Sequence, residues 1–139
     1  MEIAETDEQI AACFPVMKQL RTELREDTFV ATVRSMQGEG FRLAFLTSDS
    51  IVVAVAGFYI CHKLSVNGKS LYVYDLVTDE RHRSLDFGKR LMDDLKELAR
   101  ARDCETIELD SGVQRFAAHR FYLRERFTIS SHHFSCTLK

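Results

Sequence analysis

The run Val52-Val53-Ala54-Val55-Ala56-Gly57 constrains the fold more than any other stretch of the chain. Its apolar character does not alternate, which is the pattern of a strand covered on both faces. A chain that builds such a strand must lay other elements above and below a sheet. At 139 residues there is length for one domain and too little for two ordinary ones, so a single domain over residues 1–139 is expected.

The elements around that strand follow from changes in apolar period. Glu2 to Ala4 reads as a short strand. Thr6 then suits a helix N-cap, with Asp7, Glu8 and Gln9 in the first turn, where acidic groups favour the helix dipole. Ile10, Phe14, Met17 and Leu20 recur at helical spacing, and Pro15 marks a break between two helical pieces. Thr28 caps a second short helix from Phe29 to Met36, ended by Gly38 and Gly40. The period then falls to two. Phe41 to Thr47 and Ile51 to His62 read as strands joined by a turn at Ser48-Asp49-Ser50. Asn67-Gly68 signals a type I′ hairpin into Leu71–Thr78. After a polar loop, Phe87, Leu91, Leu95 and Leu98 stripe a long helix, widened by Met92 and Ala99. Thr106 to Leu109 is a short strand parallel to its neighbour. A helix from Arg115 to Arg124 precedes a closing strand from Phe127 to Leu138, with a phase slip near Ser131-His132. The expected class is a mixed α/β sandwich.

Charge and cysteine content exclude several functions. Lys plus Arg number 19 and Asp plus Glu 21, a net charge of -2, so no global basic field suits nucleic acid. No apolar run reaches the roughly 20 residues of a membrane span. Acidic Glu2, Glu5, Asp7 and Glu8 sit where a signal peptide wants basic residues. A cytoplasmic protein without nucleic-acid or membrane partners is expected. Cys13, Cys61, Cys104 and Cys136 lack zinc-ligand spacing, so no metal is expected and the four read as reduced thiols packed as small apolar groups.

Local charge is another matter. Between residues 81 and 90, Arg81, Arg83, Lys89 and Arg90 face Asp86 alone. They surround the start of the long helix, whose unpaired amides and dipole attract anions such as a pyrophosphate. The bland alternative is a solvated loop leading into an amphipathic helix.

The segment from Val77 to Leu91 resembles the acyl-CoA loop of the GNAT N-acetyltransferase superfamily. Arg83 and Gly88 fit that pattern, and Asp86 stands where its first glycine is expected. Ala118-His119-Arg120-Phe121-Tyr122 is similar to the family's later helix, and Asp110 to Arg115 before it resembles a subset of the family. The resemblance implies a central mixed β-sheet, mostly antiparallel, flanked by helices and splayed between strands 4 and 5, with acetyl-CoA as co-substrate in the cleft. Backbone groups of Leu76 and Val77 would pair with the pantetheine arm. Arg83, Ser84, Leu85, Asp86, Phe87, Gly88 and Lys89 would hold the pyrophosphate.

Acetyl transfer to an amine needs a base, oxyanion stabilisation and a proton for the departing thiolate. By the resemblance Tyr122 is the general acid; otherwise its ring packs in the core with the hydroxyl at the edge. Asp75 is the candidate base, because it lies within the apolar strand Leu71–Val77 and a poorly solvated carboxylate there gains a raised pKa. Its alternative is an acid satisfied by neighbouring backbone or an Arg. Asp110 and His119 are the other candidates.

Three residues depart from the family. Asp86 brings a carboxylate to the proposed pyrophosphate, costing about 3 kcal/mol at roughly 5 Å if it points inward and little if it caps the helix. Arg126 replaces a glycine before the last strand, where an unusual φ is expected, and Arg115 replaces a common Asn. The resulting expectation is an acetyl-CoA-dependent N-acetyltransferase acting on a small-molecule or protein amine. The alternative is a weak or inactive relative that binds acyl-CoA or a protein partner. Pairing through the final strand would give a homodimer.

Overall fold

A computed structural model describes residues 1–139. The chain divides into two compact units, Met1–Glu108 and Leu109–Lys139. The first holds a sheet in which β1 (Glu2–Ile3), β2 (Arg42–Ser48), β3 (Ile51–Lys63), β4 (Gly68–Thr78) and β5 (Cys104–Leu109) lie in chain order. The pairs from β1 to β4 are antiparallel, and β5 runs parallel to β4. α1 (Asp7–Leu20) and α2 (Glu26–Gly38) pack with each other and with one face of the sheet, while α3 (Phe87–Ala101) packs on β2, β3 and β4. Val52 to Ala56 are buried at every position, as the sequence requires of a strand covered on both sides. No helix is long and apolar enough to cross a membrane.

Several local expectations are corrected. Pro15 does not break α1, which continues from Asp7 to Leu20. The lost N–H is offset by burial of Ile10, Cys13, Val16 and Met17, which fixes the helix by tertiary packing. Thr6 caps α1 as expected, through a reciprocal capping box with Gln9. Thr28 is not a cap: α2 begins at Glu26 after Arg25, whose side chain pairs with Asp27.

Of the two expected hairpin turns, the first forms and the second does not. Asp49 and Ser50, both left-handed at φ 51° and 64°, form the two-residue turn between β2 and β3. Asn67-Gly68 is instead the end of a longer connection, a 3₁₀ turn at Leu64–Val66 closed by left-handed Asn67 before Gly68 pairs with Lys63. Gly68 is needed for another reason, since a Cβ there would lie 2.7 Å from Glu105 Cγ.

The second unit carries α4 (Phe116–Arg124). The expected strand from Phe127 to Leu138 does not form. Ile129, Phe134 and Leu138 are exposed, and alternating apolar residues become a strand only when a neighbour supplies ladder partners. The thiols are unpaired as expected, but only Cys13 is buried, its pKa pushed up to about 12 by that burial. Cys61 and Cys136 are exposed, so the expectation of four packed thiols fails for them.

Candidate active site

β4 positions the first group of candidate residues through an irregularity. Its register with β3 shifts between Gly57, opposite Asp75, and Phe58, opposite Val73, leaving Tyr74 as an extra residue. Without it, Asp75 would share the face of Val73 and Phe58. The bulge turns Asp75 onto the face of Gly57, Val55 and Val77, toward α1 and α2. There the carboxylate is nearly enclosed, and a Cβ on Gly57 would lie 2.6 Å from Asp75 Oδ2 and 2.5 Å from the Phe41 ring. Glycine is the residue that admits both.

Asp75 has a fixed partner. Arg21, at the end of α1, donates from Nε to Asp75 Oδ1 at 2.7 Å and from Nη2 to the Tyr74 carbonyl at 2.8 Å. One carboxylate oxygen is therefore engaged by a guanidinium, the alternative weighed for this residue from sequence.

Beyond Asp75 the strand outruns its neighbour. Gly68 lies against Glu105, and Ser70 meets Thr106 and Glu108 through hydrogen bonds of 2.9 Å. In that register the six residues of β5 accompany only the first part of the eleven-residue β4, so Asp75 to Thr78 lie past its reach. Leu76 and Val77 thus belong to a segment whose backbone on that edge can pair with an added chain, as a pantetheine amide requires.

The loop after β4 is organised by a residue that the sequence reading missed. Asp79 is 1% exposed. Its Oδ1 accepts from Gln19 Nε2 at 2.8 Å, and its Oδ2 accepts from Arg81 Nε at 3.2 Å and lies 2.7 Å from His82 Nδ1. Gln19 Oε1 also accepts from the Glu80 amide at 2.9 Å. The Gln19 hydrogen bond first, then His82 and Arg81, hold the Asp79 carboxyl at about pKa 2 against the opposing cost of burial. A lone Asp after an apolar strand is the only sequence trace of this, and it does not distinguish a buried anchor from a turn residue.

The loop then enters α3 through Asp86, which is left-handed at φ 60° and makes no side-chain cap bond. The glycine expected here is thus replaced by a residue that keeps glycine's conformation. The first intrahelical bond runs from the Arg90 amide to the Asp86 carbonyl at 3.0 Å, so the amides before it are the unpaired donors of a helix start. Of the four local cations, Arg81 pairs with Asp79, Lys89 pairs with Asp93, and Arg90 lies over the Phe87 ring. Arg83 is exposed and makes no ion pair. Ser84 and Leu85 are exposed beside it, and Phe87 is buried. Gly88 allows α3 to approach β4, since a Cβ would lie 3.1 Å from Thr78 Oγ1. These groups fit a pyrophosphate: amides, a cation and a dipole end, with one carboxylate against them.

In the second unit, Tyr122 packs edge-to-face against Phe121 and Phe127, with centroids 5.4 and 5.9 Å away. Burial pushes its hydroxyl pKa up, partly opposed by Arg115, so the phenol stays protonated and can donate. Arg126 is left-handed at φ 69°, as its glycine-like position implied. His119 Nε2 lies 2.8 Å from the Gly112 carbonyl, and His133 pairs with Asp110 at 3.2 Å, so both alternative candidates are held by neighbours. No group of three or more His, Cys, Asp or Glu is placed to hold a metal ion.

The chain matches the sequence model of the Acetyltransferase (GNAT) family over residues 4–127. It is 34% identical over 137 residues to an uncharacterized N-acetyltransferase, YhdJ, of Bacillus subtilis (strain 168), covering 96% of this chain and 95% of that one. Among solved structures it is similar to an acetyltransferase of Trypanosoma brucei, with TM-score 0.81, 21% identity and coverage of 99% and 97%. A GNAT family acetyltransferase of Staphylococcus aureus gives TM-score 0.83 at 16% identity, with coverage of 99% and 96%. At those identities the structural likeness establishes the fold.

Proposed function

The chain belongs to the Acetyltransferase (GNAT) family, and from that premise we propose that it transfers the acetyl group of acetyl-CoA to a primary amine by direct attack in a ternary complex. The observation that carries this reading is the turn from β4 into α3, where unpaired Arg83 stands beside first-turn amides that Asp86 leaves uncapped. The edge of β4 at Leu76 and Val77 would take the pantetheine arm, and the loop from Arg83 to Lys89 the pyrophosphate.

In the step itself the acceptor nitrogen attacks the thioester carbonyl carbon. The C–N bond forms first and the acetyl oxygen takes up the negative charge, and the C–S bond breaks as the carbonyl re-forms. An alkyl ammonium with pKa of about 10 must first lose a proton. Asp75 takes that role through the carboxylate oxygen that Arg21 does not engage, directly or through a water. The thiolate leaves and takes a proton from the Tyr122 hydroxyl, while the new amide nitrogen gives up its second proton to water and the phenolate regains one from solvent.

The test has two arms. Calorimetry should show acetyl-CoA binding that Arg83→Ala weakens by about tenfold, the loss of one charge-assisted contact. Thiol release with an amine panel should fall by about a hundredfold in Tyr122→Phe with acetyl-CoA affinity unchanged, as removal of a general acid predicts. Equal rates in the two proteins remove Tyr122 from the chemistry, and absence of acetyl-CoA binding removes the reading altogether.

A further inference from the structure

Between α1, α2 and the sheet lies a cavity of about 540 Å³, within the range of small-molecule sites. Leu20, Leu24, Phe29, Val33, Met36 and Phe41 form its apolar wall. The charged residues at it are Arg21, Glu23 and Asp75, one guanidinium against two carboxylates. Two backbone features maintain it. The extra residue at Tyr74 turns Asp75 into this face, and the missing side chain of Gly57 leaves space for the carboxylate. Protein interiors pack closely. An apolar volume of this size, held beside a carboxylate that a bulge delivers, is suited to a ligand with an apolar body and one cationic end.

We infer that the cavity receives the body of the acceptor, and that the acceptor is a monocationic primary amine on a branched aliphatic or aromatic body, its nitrogen at Asp75. The role as acceptor rests on the acetyl-transfer reading above; the ligand class rests on the cavity alone. A second ammonium or a ring of hydroxyls on the body would face the apolar wall of Leu24, Phe29, Val33 and Met36, with only the exposed Thr22, Glu23 and Thr32 to offer a polar partner. A phosphorylated amine would bring a dianion toward Glu23 and Asp75.

Calorimetry of the full chain with phenethylamine, isoamylamine, spermidine and glucosamine, followed by thiol release from acetyl-CoA with the same four, tests this. The first two should bind, and their kcat/KM should exceed that of the others by about tenfold or more. Thr32 lines the cavity from an exposed position on α2, so Thr32→Trp should fill the mouth without disturbing the core. It should lower kcat/KM for the apolar amines by about tenfold while acetyl-CoA affinity is unchanged. A preference for spermidine or glucosamine, no binding of either apolar amine, or indifference to Thr32→Trp overturns the inference and leaves acetyl transfer standing. Binding of the apolar amines without thiol release supports the ligand class and overturns the catalytic reading instead.

Discussion

Asp86 combines a glycine's backbone with an anion's charge at the point where a pyrophosphate would sit. The left-handed conformation costs a non-glycine residue about 1 kcal/mol, less for Asp than for most. Because the side chain is exposed and caps no amide, its charge acts on the incoming phosphates through solvent. Asp86→Gly and Asp86→Asn should both tighten CoA binding by about tenfold at low salt, with the difference shrinking as ionic strength rises. Calorimetry across a salt series reads this directly; tightening by Gly alone would assign the effect to backbone strain. Asp79 makes the opposite case, a carboxylate that stabilises. Its pKa is lowered from 3.8 to about 2 in the folded chain, so its contribution is complete above about pH 5 and is lost as pH falls through about 2. That shift corresponds to about 2 kcal/mol. Asp79→Asn should cost about that much at neutral pH and flatten the acid limb of stability, measured by urea unfolding between pH 3 and 7.

At the scale of elements, turn chemistry separates what is local from what is not. The β2–β3 connection holds two consecutive left-handed residues, Asp49 and Ser50, in a turn that Asn-Gly suits better. Replacing the pair with Asn-Gly should raise stability by about 1 kcal/mol, seen as an upward shift in Tm with no change in CoA affinity. The sequence places a turn there, and it also reads Asn67-Gly68 as a two-residue hairpin turn, because dipeptide preference says nothing about loop length. The pairing of Lys63 with Gly68 sets that length, and strand register is a property of two segments at once. The same reason explains Pro15, whose local cost is visible in sequence while the buried face that outweighs it is not. α3 was legible except at Leu98, expected in the stripe but only half-buried, since its amphipathic stripe is local and its burial of Phe87, Leu91, Met92, Leu95 and Ala99 follows the 3.6-residue period.

For the molecule as a whole, the two units differ in how their backbones are held. Residues 1–108 carry the five-stranded sheet and its ladders. Residues 127–139 form no helix or strand, and Ile129, Phe134 and Leu138 are 77%, 88% and 90% exposed. Backbone amides there should exchange with solvent within the shortest labelling times, while those of β3 and β4 persist to global unfolding, as hydrogen exchange read by mass spectrometry would report. Slow exchange in residues 128–138 would mean that this segment gains strand partners in solution.

The sequence by itself determined the order of elements up to α4, the buried central strand and the anion-seeking helix start. Each is written in spacing or in residue type within a few positions. Tertiary structure alone decided that Asp75 meets Arg21, that Asp79 is buried beneath Gln19, that an extra residue at Tyr74 selects the face Asp75 occupies, and that Phe127 to Leu138 stays unpaired. Those outcomes depend on partners some fifty or sixty positions away, or on the absence of one, and no local period encodes a distant partner.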